Sequence, residues 1–362
     1  MQMFSMEKKN KQKFKKPRTL TYADALKEAL TQEMARNKRV LAYGIGLPDH
    51  KAIFDTTNGL LEKFGPERVF DTPISEDAMT GFGVGAAMNG FIPVHHHIRV
   101  DFLLLAMNQL ANIASTVSYG SSGKLGAPLV IRAVIGRGWG QGFQHSKSMQ
   151  SVFAHIPGLK VVMPTTARDA KGLLISAMRD GNPVLVLEHR WLYWQTGEVP
   201  AESYEVPIGP GQILRKGKDI TIVATSWMNV EAAQAADILA RRGISVEIVD
   251  VRSLAPLDDT VIIRSVKKTG HCIVADLDWV DYGVSAEIAT RVYEKCFGQL
   301  KAPVERIGFA HTPCPTVRSL ENEFYPNAED LVRAVERQLK LSPTDLSKEN
   351  FYSHENRFKG PF

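Results

Sequence analysis

Two segments of the chain contain side chains suited to proton transfer. The first is the run Asp71-Thr72-Pro73-Ile74-Ser75-Glu76, which joins a short apolar segment to a glycine-rich one. Glu76 falls near the start of a predicted helix, where the helix dipole favours a charged carboxylate. The second is the glycine-rich loop 136–148, which contains His145, and histidine titrates near neutral pH. Glu76 can be a reacting acid or a simple helix cap, and His145 alone is weak evidence for a site.

Several familiar kinds of site are not supported by the sequence. Loop 136–148 has no Gly-Lys-Ser/Thr after its glycines, so it does not match a nucleotide-binding loop. No Gly-x-Ser-x-Gly elbow of a hydrolase is present. His95-His96-His97 follow one another on a predicted strand, where alternate side chains point to opposite faces. A metal would need further ligands, so ordinary buried or surface histidines are favoured.

The elements that must position these residues alternate between strands and helices. This alternation predicts an α/β fold of two domains, each a mainly parallel sheet flanked by helices. The first series has strands 39–43, 68–70, 91–94, 128–133, 159–163 and 183–188, with helices 19–35, 76–89, 102–119 and 167–180. The second has strands 219–225, 244–250, 271–276 and 303–307, with helices 229–242, 258–268, 283–297 and 327–339.

The predicted boundaries follow composition. We expect a basic disordered tail at 1–18, a first domain at 19–205, a Pro- and Gly-rich linker at 206–217, a second domain at 218–340 and a polar tail at 341–362. Residues 7–18 hold seven basic residues against one acid, so the remainder of a chain of net charge +5 sums to −1. A neutral body argues against a nucleic-acid-binding face.

Apolar run length and cysteine spacing indicate how the protein relates to membranes and in which compartment it lies. No apolar run is long enough to span a bilayer, and the N-terminus lacks the apolar core of a signal peptide. The three cysteines are widely spaced, which favours a reducing cytoplasm.

Several segments together resemble one family. They are residues 63–76 (KFGPERVFDTPISE), Gln144-His145-Ser146, residues 155–162 (HIPGLKVV), residues 179–183 (RDGNP) and Pro313-Cys314-Pro315. In this order and spacing they resemble the β subunits of thiamine-diphosphate-dependent 2-oxo acid dehydrogenases of the pyruvate and branched-chain type. The resemblance covers roughly residues 20–340 and implies the transketolase fold, with a pyrimidine-binding domain and a C-terminal domain.

The resemblance implies roles for particular residues. Glu76 matches the carboxylate that bonds to a ring nitrogen of the cofactor aminopyrimidine. Phe102 matches the aromatic residue that packs on that ring, and Ile74 is also expected to bind the cofactor. His145 matches a histidine that handles bound intermediates. Asp180 and Asn182 match a segment that in some members holds a structural potassium ion.

The resemblance also implies a partner. The Gly-Asp-Gly motif and later Asn-Asn pair that hold Mg²⁺ and the diphosphate are absent from this chain, and in the family they lie on an α subunit. We therefore expect an α2β2 assembly with shared active sites, a small 2-oxo acid substrate and a dihydrolipoyl acyltransferase as acceptor. The alternatives are a transketolase-like carboligase or acyl-transfer subunit of a specialised biosynthetic pathway without a lipoyl partner, and a purely structural β subunit.

The sequence departs from the family pattern at several positions. Acidic residues usual in the family are replaced by Ile45, by Asn108 and, within the histidine run, by His96. Thr116 stands where lysine is usual, and Lys147 where glutamine is common. We hypothesise that the acidic proton route linking two active sites in the family is missing, and that the substrate is altered.

Overall fold

The computed structural model of this protein describes residues 18–49, 52–136 and 140–352. Three predicted features lie wholly or partly outside these residues: most of the N-terminal tail, Gly138 of the glycine-rich loop, and the last ten residues of the C-terminal tail. Arg18 is not part of a tail, because it begins a strand that pairs with residues 196–199.

The order of elements confirms the predicted alternation. The strands are β1 (Arg18–Thr21), β2 (Val40–Gly44), β3 (Val69–Phe70), β4 (Ile92–His97), β5 (Val130–Ile135), β6 (Lys160–Val162), β7 (Val184–His189), β8 (Thr196–Val199), β9 (Gln212–Arg215), β10 (Ile220–Ala224), β11 (Val246–Asp250), β12 (Ser253–Ala255), β13 (Cys272–Trp279) and β14 (Glu305–Phe309). The helices are α1 (Tyr22–Arg36), α2 (Ala52–Asp55), α3 (Leu60–Phe64), α4 (Glu76–Met88), α5 (Val100–Leu103), α6 (Val117–Gly120), α7 (Gln150–Ala154), α8 (Ala167–Arg179), α9 (Met228–Ala240), α10 (Thr260–Thr269), α11 (Val284–Cys296), α12 (Arg318–Phe324) and α13 (Ala328–Leu339).

Two mainly parallel sheets organise the chain, as predicted. The first has the order β12-β6-β7-β5-β4-β2-β3, and only β12 runs antiparallel to its neighbour. The second has the order β14-β13-β10-β11-β9, and only β9 is antiparallel. The central strands are buried along their length, because helices cover both faces of such sheets.

Side chains of successive strand residues enter two different cores. Val184 and Val186 of β7 belong to a cluster beneath α1 and α8, whereas Leu185 and Leu187 belong to a cluster on the other face with α5 and α7. This is the period of two expected for a strand. Both clusters continue into the second sheet, so the hydrophobic core runs through both predicted domains.

The predicted linker at 206–217 is not irregular throughout. Residues 212–215 form β9, which pairs with β11 at the edge of the second sheet. In the other direction, β12 lies in the second half of the sequence but pairs with β6 of the first sheet. Edge strands leave hydrogen-bonding groups open to nearby extended chain, so β6 can accept β12 from across the predicted boundary.

The predicted helix at 102–119 is interrupted. Its place is taken by α5, a 3₁₀ turn at Leu104–Ala106, a π-helical stretch at Asn108–Ala114 and α6. No single helix in the described part of the chain is long and apolar enough to span a membrane. Only Val100–Ala106 and Asn108–Gly120 taken together reach that length and composition, and they are bent by 53°.

Candidate active site

A cavity of about 730 Å³ opens at the carboxyl ends of adjacent strands of the first sheet. The segments that follow β2, β3, β4, β5 and β7 all contribute to its wall, which is the usual place for a ligand in an open parallel sheet. The wall includes the side chains of Ile74, Glu76, Arg99, Phe102, His145 and Arg190.

Glu76 enters the cavity as the first residue of α4. The chain leaves β3 at Phe70, and the intervening loop leaves the Ile74 side chain 83% exposed. Glu76 itself is half-buried, and its carboxylate has no hydrogen-bond partner among the described residues. Helix α4 comes close to the sheet because Gly83 has no side chain; a Cβ there would lie 2.2 Å from the Tyr43 hydroxyl.

Phe102 and His145 form another part of the wall. Their ring centroids are 5.2 Å apart with an interplanar angle of 73°, an edge-to-face contact. Asp101, next to Phe102, and Lys147, two residues after His145, form a salt bridge of 3.0 Å. The two contacts fix the segment after β4 against the loop that carries His145.

A third link between the same segments involves Arg99 and Gln141. Neither residue was predicted from the sequence to belong to the site. Arg99 donates one hydrogen bond to the Gln141 side-chain oxygen and another, of 3.2 Å, to the Gly136 carbonyl. Arg190, at the end of β7, donates to the same Gln141 oxygen at 3.0 Å. Burial lowers the pKa of Arg99. Burial, and then repulsion by Arg99, lower the pKa of Arg190 to about 9.

The three consecutive histidines also line the cavity, and all are buried. His95 stacks on Tyr43 and lies 3.2 Å from His97, whereas His96 points the other way and lies 3.2 Å from Arg132. Burial lowers the pKa of each ring, that of His97 to about 3. They are therefore neutral core histidines, in line with the prediction of ordinary buried or surface histidines. Among the described residues no group of three or more histidine, cysteine, aspartate or glutamate side chains is arranged to hold a metal.

The second half of the chain reaches the loop of the site. The Tyr325 hydroxyl donates a 2.6 Å hydrogen bond to the carbonyl of Ser146, next to His145. Gly142 has a φ of 57°, and a Cβ there would lie 2.5 Å from the Thr316 hydroxyl. The loop is thus held between the two sheets.

Comparison with known proteins places this geometry in a family. Transketolase pyrimidine-binding domains match residues 18–195, and transketolase C-terminal domains match residues 209–331. The mitochondrial pyruvate dehydrogenase E1 component subunit beta of Pisum sativum is 43% identical over 328 residues, covering 90% of this chain and 91% of that protein. The chain belongs to the family of transketolase-like β subunits of 2-oxo acid dehydrogenases.

Two further relatives and one solved structure are also similar to this chain. The 2-oxoisovalerate dehydrogenase subunit beta of Bacillus subtilis is 39% identical and covers 88% of this chain and 98% of its own length. The beta subunit of acetoin:2,6-dichlorophenolindophenol oxidoreductase of Cupriavidus necator is 39% identical over 333 residues, covering 89% and 98%. A structure of a split-gene transketolase, described as an inactive beta4 tetramer, superposes with a TM-score of 0.70 at 24% identity, covering 90% of this chain and 99% of that one. That likeness shows the fold alone.

The residues predicted to bind the cofactor line the same cavity, whereas the residues predicted to hold a potassium ion lie outside it. Ile74, Glu76, Phe102 and His145 share the one cavity. Asp180 follows α8 and precedes β7, so it lies at the amino end of a strand whose carboxyl end faces the cavity. Its carboxylate pairs with the Lys160 ammonium and accepts a 3.5 Å contact from Asn182. The Lys160 ammonium thus occupies the Asp180 side chain, and a potassium ion held by main-chain carbonyls of this segment stays a prediction.

Proposed function

We propose that this chain is the catalytic β subunit of a thiamine-diphosphate-dependent 2-oxo acid dehydrogenase, acting in decarboxylation and acyl transfer. The observation that carries the proposal is the Glu76 carboxylate, which is half-buried in the cavity and has no partner among the described residues. A carboxylate placed in this way can accept a hydrogen bond from a ligand in the cavity. The ring nitrogen of an aminopyrimidine is such a donor when protonated.

The rest of the wall fits the same ring. Ile74 and Phe102 present exposed apolar surface in the same cavity as the acid, and a heteroaromatic ring would cover it. Glu76 would hold a proton between a carboxylate oxygen and the ring nitrogen. When bound, thiamine diphosphate supplies the nucleophilic carbon and the electron sink for decarboxylation, so the chain itself need only bind, orient and move protons.

His145 is the proton-transfer group in the wall of the same cavity. It is half-buried, and its ring is oriented by the edge-to-face contact with Phe102. A histidine held in this way can give or take a proton at a substrate oxygen. The salt bridge between Asp101 and Lys147 holds the two supporting segments together.

The diphosphate end of the cofactor is proposed to lie on an α subunit. Support comes from the sequence, which has no Gly-Asp-Gly motif, and from the large apolar side chains left exposed around the cavity, including Ile74 and Leu105. Mg²⁺ would be bound by that partner, in an α2β2 assembly. The three cysteine thiols are buried and form no disulfide, which supports a reducing, cytoplasmic location.

The acceptor of the acyl group distinguishes two versions of this function. A dihydrolipoyl acyltransferase is the acceptor expected for a dehydrogenase complex. A transketolase-like carboligase or acyl-transfer subunit would instead pass the fragment to a small molecule. An assay that follows CO₂ release with and without a lipoyl domain separates the two: lipoyl-dependent product supports the first version, and product formed only with an aldehyde or ketone acceptor supports the second.

The function is tested by titrating thiamine diphosphate with Mg²⁺ into this chain alone and into its complex with the co-produced α subunit. We expect calorimetric binding only in the complex, followed by CO₂ release from at least one member of a panel of 2-oxo acids. Tight binding by the lone chain would contradict the shared site. If neither the lone chain nor the complex binds the cofactor, only a structural role remains for the β subunit.

A further inference from the structure

Two guanidinium groups lie side by side in the wall of the cavity. Arg99 is 3% exposed and Arg190 is fully buried, and both donate to the single side-chain oxygen of Gln141. They come from the ends of β4 and β7, which are separated in the sheet by β5. Arg190 also lies over the ring of Phe54, 4.8 Å from its centroid.

This arrangement is unfavourable unless something compensates for it. Two buried like charges repel each other strongly where water is excluded. The two acceptors of Arg99 are the amide oxygen of Gln141 and the carbonyl of Gly136, and both are uncharged. Asp101 also attracts Arg99, but its carboxylate is engaged by Lys147. The positive charge of Arg99 is therefore available to an anionic ligand in the cavity, and Arg190 lies beside it in the same wall.

The chemistry of decarboxylation decides which anion suits such a wall. The carboxylate that leaves as CO₂ must lose its negative charge, so cations that hold it stabilise the ground state and oppose the reaction. A second anionic group is retained from substrate to product, and binding it does not carry this penalty. The planar guanidinium also matches the paired oxygens of a carboxylate or phosphate.

We propose that Arg99 and Arg190 are specificity-determining residues, and that the substrate is a 2-oxo acid with a second, distal anionic group, a carboxylate or a phosphate. This inference rests on the proposed function and names its substrate class. Gln141 is the positioning residue that holds the two guanidinium groups together. The neutral histidines of β4 add no charge of their own to the wall.

The test compares two five-carbon 2-oxo acids that differ only in the distal group, 2-oxopentanoate and 2-oxoglutarate, in the αβ complex loaded with cofactor. We expect wild type to prefer 2-oxoglutarate in kcat/KM by about ten- to a hundredfold, the range expected for hydrogen bonds to a charged group. Arg190→Gln and Arg99→Gln should remove most of this preference, mainly through the KM of the dianion. Arg215→Gln, a half-exposed residue of the second sheet that pairs with Asp237, is the matched control.

Gln141→Glu provides a variant that preserves shape. A carboxylate between the two guanidinium groups would neutralise them without loss of volume, so the protein should fold and the preference should fall. Organic phosphates of similar size, tested as competitors of 2-oxoglutarate, determine whether the distal anion is a phosphate. Competition tighter than that of the matching dicarboxylate would assign the phosphate.

The outcomes separate this inference from the proposed function. If the complex binds thiamine diphosphate and decarboxylates both acids equally, the function stands and the inference is wrong. The inference is also wrong if the arginine variants weaken cofactor binding while the substrate preference stays unchanged, because the cations would then serve the cofactor diphosphate. If the wild-type complex does not bind the cofactor, the proposed function itself fails.

Discussion

The ring of Phe102 meets the ring of His145 edge to face, with centroids 5.2 Å apart. Phe102 lies on the short helix α5, and His145 lies on a loop 43 positions later in the sequence. The contact joins a residue proposed to pack on the cofactor to one proposed to transfer protons. The two proposed roles can be separated by mutation because the side chains differ in chemistry.

His145→Gln should lower kcat by about 10²- to 10⁴-fold, the range for removal of a general acid–base group, and leave the Kd of thiamine diphosphate nearly unchanged. Phe102→Leu should do the reverse, raising the Kd because an aromatic surface is lost. His311→Gln, at a site 84% exposed, is the control for loss of a histidine. Steady-state kinetics and calorimetry on the same αβ preparations measure both effects. A His145→Gln enzyme with normal kcat would remove His145 from the mechanism.

Tyr325→Phe should loosen the loop that carries His145. The lost hydroxyl leaves the buried carbonyl of Ser146 without its 2.6 Å donor, which costs about 1–3 kcal/mol. We expect kcat to fall by about tenfold, because small misplacements of a catalytic group are costly, and KM to change less. Tyr282→Phe, at a residue 99% exposed, should change neither value. A stability loss without any change in kcat would show that the contact is structural only.

Glu188→Gln should destabilise the first sheet. Glu188 pairs with Arg132 where both side chains are at most 2% exposed, and it also accepts a 2.8 Å hydrogen bond from Tyr193. Removing one charge leaves Arg132 buried without its counter-ion, a loss of about 3–5 kcal/mol in the free energy of unfolding. Asp237→Asn, in an exposed pair, should cost less than about 1 kcal/mol. Denaturant unfolding compares the two, and equal losses would contradict the argument.

Stability should fall as pH rises from about 4 to about 7 through the ionisation of Asp250. Burial, and then the charge of Asp169, raise the pKa of this carboxyl from 3.8 to about 7. Across that window the folded chain keeps a proton that the unfolded chain has lost, so the free energy of unfolding declines with pH. Asp250→Asn should flatten the decline. Thermal unfolding at several pH values measures the slope, and an identical slope in the variant would exclude this group.

Patterns among neighbouring residues predicted most of the strands and helices, and they predicted the helix that begins at Glu76 in the site. Thr21 caps the first helix, since its hydroxyl accepts the 3.0 Å hydrogen bond from the Asp24 amide, and threonine just before an apolar-periodic segment is a local signal of a helix start. The predicted helix at 76–89 begins at Glu76, as α4 does. Apolar strands and amphipathic helices are encoded by neighbouring residues, and such signals are visible in a sequence.

Contacts between distant segments were not visible. The helix predicted at 102–119 is broken partly because the Ser115 and Thr116 hydroxyls bond back to carbonyls one turn earlier, at 2.9 and 2.8 Å, a competition with the helix ladder that apolar spacing does not reveal. Gln141 and Arg190 were missed because they meet only when β5 and β7 lie side by side. Neither residue belongs to a local motif.

The most direct test of the central claim is a titration of thiamine diphosphate with Mg²⁺ into αβ complexes that carry Glu76 or its neutral replacement. Glu76→Gln keeps the size of the side chain but removes the charge that would share a proton with the aminopyrimidine. We expect its Kd to rise by at least about tenfold, the scale of one charged hydrogen bond, and decarboxylation to be lost. Glu62→Gln, an exposed acid of α3, should behave as wild type. Equal cofactor affinity and equal decarboxylation by the wild-type and Glu76→Gln complexes would contradict the proposed site.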